Sequence, residues 1–97
     1  MNTYVVLRRC GWLSIDSLRE TAKRAESALE WAPDDVSWIR SYLLAEPDGS
    51  LGTVCVYQAT SPEAVRAHAA RAGLPVDEIV AVTETLVVKP DPVEAAA

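Results

Sequence analysis

One histidine, His68, and two cysteines, Cys10 and Cys55, carry most of the chemistry this chain could do beyond packing. An imidazole titrates near neutrality and can act as acid, base or metal ligand. A thiolate is a nucleophile and a soft ligand. His68 lies in the run PEAVRAHAARAGLP, where Val65, His68, Ala69 and Ala72 fall at i, i+3, i+4 and i+7 of a helix, so the imidazole points at whatever that helix packs on. A chelating helix would carry a second ligand three or four residues away. Ala64, Val65, Arg71 and Ala72 hold those positions, so a metal at His68 must draw its other ligands from strands or from a second subunit. The alternative is a hydrogen-bonded structural histidine. Cys55 falls in the middle of an apolar run, where burial makes cysteine an inert small hydrophobe. Cys10 stands beside Arg8 and Arg9, cations that would lower its pKa and make it the better reactive thiol. Trp38, Tyr42, Cys55 and Tyr57 could line an aromatic ligand pocket with Arg40 nearby, or could equally be core or dimer interface. The adjacent carboxylates Asp34-Asp35 and Asp77-Glu78 read as solvated caps unless they hold a cation.

The elements that must position these groups are legible. Thr3 to Arg9 alternates Thr3/Val5/Leu7/Arg9 against Tyr4/Val6/Arg8/Cys10, with apolar residues on both faces, which predicts an interior strand broken by Gly11. Trp12 and Leu13 follow in a loop that could pack over the core edge. Ser14 and Ser17 compete to cap a helix bearing Leu18, Ala22, Ala25 and Leu29, which stops before Pro33. Val36 to Leu44 predicts a strand with Val36/Trp38/Arg40/Tyr42/Leu44 on one face. Pro47-Asp48-Gly49 turns it back into a central strand at Val54-Cys55-Val56-Tyr57. Ser61 caps the next helix, Pro62 suits its first turn, and Gly73 with Pro75 ends it near Ala72. A last strand is expected over Ile79 to Val88.

Strand, helix, strand, strand, helix, strand is the split β-α-β pattern. It predicts an α+β ferredoxin-like βαββαβ sandwich, with both helices on one face of a four-stranded antiparallel sheet. One domain over residues 1–89 and a disordered tail over 90–97 are expected. The helix-free face, apolar in several strands, predicts a homodimer of the dimeric α/β-barrel type, a ligand pocket, or both.

Composition narrows the function. A net charge of −5 with scattered Lys and Arg argues against a nucleic-acid partner. No run reaches the length of a membrane-spanning helix, and the first residues pass into a strand pattern without a leader. The expectation is a cytoplasmic protein with no membrane partner and two free thiols, too few for a metal cluster or disulfide framework.

Ser41-Tyr42, Cys55-Val56-Tyr57, EAVRAHA over 63–69 and RAGLPVDEIV over 71–80 together resemble a family of small bacterial ferredoxin-like proteins, a domain of unknown function often labelled nickel-binding protein. The resemblance runs from Tyr4 to about Val87. It implies a homodimer and nickel, or another divalent transition metal, at histidine and carboxylate ligands. Acids that stand in the family's first strand, third strand and second helix are replaced here by Leu7, Gln58 and Ala67. Losing anionic donors weakens a divalent site.

Two readings follow. The first is a homodimeric metal-binding protein with His68 as its ligand. The second is a small enzyme, a cyclase, isomerase or cofactor-free oxygenase, using the open sheet face as its pocket. There His68 would be acid/base, Arg8 or Arg40 would hold an oxyanion, and Trp38, Tyr42 and Tyr57 would stack on the substrate.

Overall fold

The computed structural model describes residues 1–92 of the 97. Its elements are β1 (Asn2–Trp12), α1 (Ile15–Ala28, continued by a 3-10 turn at Leu29–Trp31), β2 (Val36–Ala45), β3 (Leu51–Ala59), α2 (Pro62–Ala72) and β4 (Glu78–Ala81). The strands pair antiparallel in the order β2-β3-β1-β4, the topology of the expected ferredoxin-like sandwich. Tyr4, Val6, Cys55, Tyr57 and Ala59 of the sheet pack with Val65 of α2 to form the core between sheet and helices.

Local chemistry sets the helix ends. Ser61 Oγ accepts from Ala64 N at 3.1 Å, Pro62 opens α2 where its missing N–H has no intrahelical partner, and Gly73 closes it at φ 69°. Of the two serines before α1, Ser14 is the cap, accepting from Ser17 N at 3.2 Å. α1 buries Leu18, Thr21, Ala25 and Ala28. Trp12 is buried and donates from Nε1 to Thr21 Oγ1 at 3.1 Å, whereas Leu13 is fully in solvent.

Three departures from the expected pattern bear on the site. First, β1 continues past Gly11 because an irregularity between Arg8 and Trp12 absorbs the extra residues, with Cys10 at φ 52°. Second, a bulge between Trp38 and Arg40 in β2 resets the alternation, so that Trp38 pairs with Tyr57 while Arg40 pairs with Val56. Trp38 thus turns toward the helices, and Arg40 and Tyr42 turn away. Third, β4 stops at Ala81. Tyr4 pairs with Ala81 and Val82 N donates to Thr3 O, after which β1 has almost no chain left to pair with.

The segment after β4 does not leave the molecule. Tyr42 Oη donates to Asp91 at 2.8 Å and Arg40 approaches the same carboxylate at 3.5 Å, so residues 82–91 lead from one sheet edge to the other on the helix-free side. Within the stretch expected as a tail, Asp91 makes these contacts while Pro90, Asp91 and Pro92 stay exposed, and residues 93–97 lie outside the described residues.

The β2–β3 hairpin locks onto the end of β1 through Glu46. Its carboxylate takes Arg9 Nε and Nη2 at 2.9–3.2 Å, Cys10 N at 2.8 Å and the Cys10 thiol at 3.2 Å. Gly52 makes this approach possible: a Cβ there would lie 2.6 Å from Arg8 O and 3.0 Å from Glu46 Oε2. Gly52→Ala should therefore destabilise the fold by about 1–3 kcal/mol, the range for overpacking a close contact, checked as a lowered midpoint in urea with unchanged slope.

Candidate functional site

The inner face of the sheet collects the polar groups of interest. β1 alternation puts Tyr4, Val6 and Arg8 toward the helices, and antiparallel pairing sets Thr53 directly beside Arg8 and Cys55 beside Val6. Arg8 is 1% exposed, and its Nε donates to Pro75 O at 2.7 Å, fastening the loop after α2 to the sheet. Its Nη2 has no partner among the described residues, and neither has Thr53 Oγ1. No carboxylate among the described residues lies within salt-bridge distance of this guanidinium. Beside it a half-open cavity of about 60 Å³ is lined by Arg8, Thr53, Cys55 and Tyr57 of the sheet under Leu18 and Ala25 of α1.

Tyr57 is the floor of this region. Its ring stacks on Trp38 with centroids 6.3 Å apart and meets His68 edge-on at 5.5 Å. Burial pushes its phenol up to about 12, with the Cys55 side chain adding and Arg8 opposing, so the O–H stays a donor. Trp38 Nε1 donates to Ser41 Oγ at 2.8 Å, and Ser41 donates to Cys55 Sγ at 2.9 Å. Cys55 is thereby a buried packing thiol with one local partner.

His68 is 1% exposed, and both ring nitrogens lack a partner among the described residues. Burial lowers its pKa from the ordinary histidine value, and the positive charges of Arg8 and Arg71 lower it further. All three causes favour the neutral imidazole. A hydrogen-bonded structural histidine was one expectation from the sequence, and the surroundings offer it no such bond.

The site residues drawn from the sequence are divided by the sheet. Arg8, Trp38, Cys55, Tyr57 and His68 lie on the helix side, whereas Arg40 and Tyr42 face the opposite side and engage Asp91. The bulge in β2 is the reason. A single substrate cannot touch both groups, so the open face does not hold the expected set of His68, Arg8, Arg40, Trp38, Tyr42 and Tyr57. Cys10 also departs from expectation. Arg8 turns inward and Arg9 is engaged by Glu46, so the thiol faces a carboxylate. Ser50 draws its pKa down, but Glu46, desolvation and Asp48 outweigh that, and the net shift is upward. Sequence reasoning passed over Thr53, Ser41 and Glu46. The available signal for Thr53 was its two-residue offset from Cys55, which puts both on one face.

The donors around His68 do not fit a divalent ion. Arg8 and Arg71 place positive charge at the imidazole. Leu7 and Gln58, where the resembled family carries acids, pair with Val54 and Thr3 and lie across the sheet from His68. Even carboxylates at those two positions would not complete a site with it. Among the described residues no group of three or more His, Cys, Asp or Glu side chains is arranged to hold a metal.

Comparison with known proteins gives the wider setting. A family model described as "Nickel responsive protein SCO4226-like" matches residues 4–82. The crystal structure of SCO4226 from Streptomyces coelicolor A3(2) superposes with a TM-score of 0.68 at 21% identity, covering 87% of this chain and 99% of that one, and so shares its fold. Rv0793 from Mycobacterium tuberculosis aligns at 14% identity with a TM-score of 0.40, over 92% of this chain and 100% of that one. No curated protein matches the sequence. No helix among the described residues is long and apolar enough to cross a membrane.

Two pH windows follow from the buried and paired groups. His68 is less basic folded than unfolded, so stability should fall as pH drops below about 6.5, where the unfolded chain takes up the proton first. His68→Leu should flatten that arm of a stability profile measured by urea unfolding. The Glu46 carboxyl is held down to about 2, first by its hydrogen bonds to Arg9 and the Cys10 thiol. Its contribution should be intact above the ordinary carboxylate value and be lost as pH falls from there toward 2; Glu46→Gln should remove that acid-side loss.

Proposed function

This chain belongs to the SCO4226-like family of nickel responsive proteins, and on that premise we propose that it is a homodimeric, non-catalytic binding protein. Its ligand site is the cavity beneath α1, between sheet and helices. The observation that supports this reading is the cavity itself, an apolar hollow of about 60 Å³ lined by Trp12, Leu18 and Ala25 on one side and Cys55 and Tyr57 on the other. Small-ligand sites are concave and mostly apolar, and this hollow between helix and sheet has that character.

Nickel response in this member does not run through coordination at His68. Nitrogen and oxygen ligands in sufficient number, close together and mostly anionic or neutral, are what a divalent ion requires. His68 instead lies within the field of two arginines. The dimer is supported by apolar side chains left in solvent along β4 and beyond: Val80, Leu86, Val87 and Val88, the last 92% exposed. A second copy of the same surface is the simplest partner for such a run in a small chain.

Titrating the chelator-treated protein with nickel, zinc and copper by calorimetry should show no stoichiometric uptake that depends on His68. Fixed-ratio binding lost in His68→Ala would overturn the assignment. For the dimer, sedimentation equilibrium should give twice the chain mass for the wild type and the single-chain mass for the double substitution Leu86→Asp, Val88→Asp; a monomeric wild type, or a dimer that survives both substitutions, would overturn it.

A further inference from the structure

From the walls of the hollow beneath α1 we infer the class of ligand, a deepening that rests on the binding-protein reading above: the site takes one uncharged, apolar molecule of about four to six non-hydrogen atoms, lying between α1 and the sheet. Native cores are packed as densely as organic crystals, and voids larger than a water molecule are few in a domain. This one persists because α1 presents Ala22 and Ala25 where a longer side chain would close the gap. The same helical face carries Leu18 before them and Leu29 after them, so the small side chains fall over the hollow itself.

The polar groups at the walls are already spent. Trp12 Nε1 donates to Thr21 Oγ1 at 3.1 Å, and Thr21 donates in turn to Ser17 O at 3.0 Å. Trp38 Nε1 donates to Ser41 Oγ at 2.8 Å, and Ser41 donates to Cys55 Sγ at 2.9 Å. Arg8 Nη2 and Thr53 Oγ1 are unpartnered but have essentially no accessible surface, so they present nothing to an occupant. What remains is hydrocarbon and aromatic surface, from Trp12, Leu18 and Leu74 together with the stacked rings of Trp38 and Tyr57.

Such walls choose among occupants. Water is a poor one, because an ordered buried water needs about two to four polar partners. A polar or charged ligand is equally ill served, since it would leave its hydration shell and find no hydrogen bond in exchange. An apolar molecule loses nothing on entry and supplies the dispersion contacts that a void withholds from its lining. At about 60 Å³, the hollow has room for about four to six water-sized occupants at about 10–15 Å³ each. A six-membered hydrocarbon ring is of that size. Leu43 lines the hollow and is half exposed, and β2 is an edge strand, so the way in lies at that edge.

The test is an NMR titration of the isotopically labelled full chain at mildly alkaline pH. Benzene is the probe, pyridine its polar isostere and sodium benzoate its charged counterpart. Benzene should saturate at one per chain, with half-saturation at or below about 1 mM, within the ceiling for a ligand of six heavy atoms. The largest shifts should fall at the amides around Ala22, Ala25, Cys55 and Tyr57. Pyridine should bind roughly 10- to 100-fold more weakly, the loss expected for a buried polar atom without a partner. Benzoate should not saturate. Ala25→Leu should abolish benzene binding by filling the hollow, while thermal stability holds or rises. Ala22→Leu, at a half-buried position on the same wall, gives the same readout if Ala25→Leu overpacks and does not fold.

Pyridine or benzoate binding as tightly as benzene would leave the hollow as a ligand site and overturn the apolar class. Unchanged benzene affinity in both filled variants would put the molecule elsewhere and overturn the site. Saturation by none of the probes would overturn both this inference and the binding reading it rests on.

Discussion

The buried guanidinium of Arg8 is the constraint on which the arrangement of this protein depends. It reaches the interior because β1 alternation puts it in the row of Tyr4 and Val6, and it is held there by the carbonyl of Pro75 at 2.7 Å. That bond ties the exit of α2 to the sheet, so the same side chain that closes the helix layer also sets its electrostatics. The lowered pKa of His68 owes first to burial and then to Arg8 and Arg71, and the raised pKa of Tyr57 owes mostly to burial. The charged form is disfavoured at both side chains, imidazolium at His68 and phenolate at Tyr57.

The same field separates family membership from the details of this member. The chain belongs with nickel responsive proteins over residues 4–82 and shares the fold of SCO4226. Its one histidine is buried beside Arg8 and Arg71, and two of the three positions at which the family resemblance would place acids, Leu7 and Gln58, face the other side of the sheet, while the third, Ala67, adjoins His68 on α2. A family description names a response that coordination can deliver through many geometries; which of them a given chain uses depends on the donors its own fold gathers.

The sheet also divides the molecule into two surfaces with different character. Toward the helices lie the unpartnered polar groups and the small cavity. Away from them, Arg40 and Tyr42 receive Asp91 from the returning segment. Val5, Leu7, Val54 and Val56 are only half-buried on that side, and the segment leaves Leu86, Val87 and Val88 in solvent. These are the apolar side chains that the proposed dimer would cover.

The order of elements, both limits of α2, the turn at Pro47-Asp48-Gly49 and the ferredoxin-like topology were legible in the residues alone, because they rest on local preferences: caps, a glycine at positive φ, and two periodicities. Helical spacing also placed His68 on the buried face of α2. Tertiary structure decided the rest. The β2 bulge, invisible in the alternation of apolar residues, sent Trp38 to one face and Tyr42 to the other and so broke up the site the pattern suggested. The end of β1 decided where β4 stops, since a strand needs a partner strand to continue. The Glu46 carboxylate, distant in sequence from Cys10, reversed the thiol shift expected from its arginine neighbours. Whether Arg8 would find an acid depended on which loops fold over it, a long-range property that residue spacing does not encode.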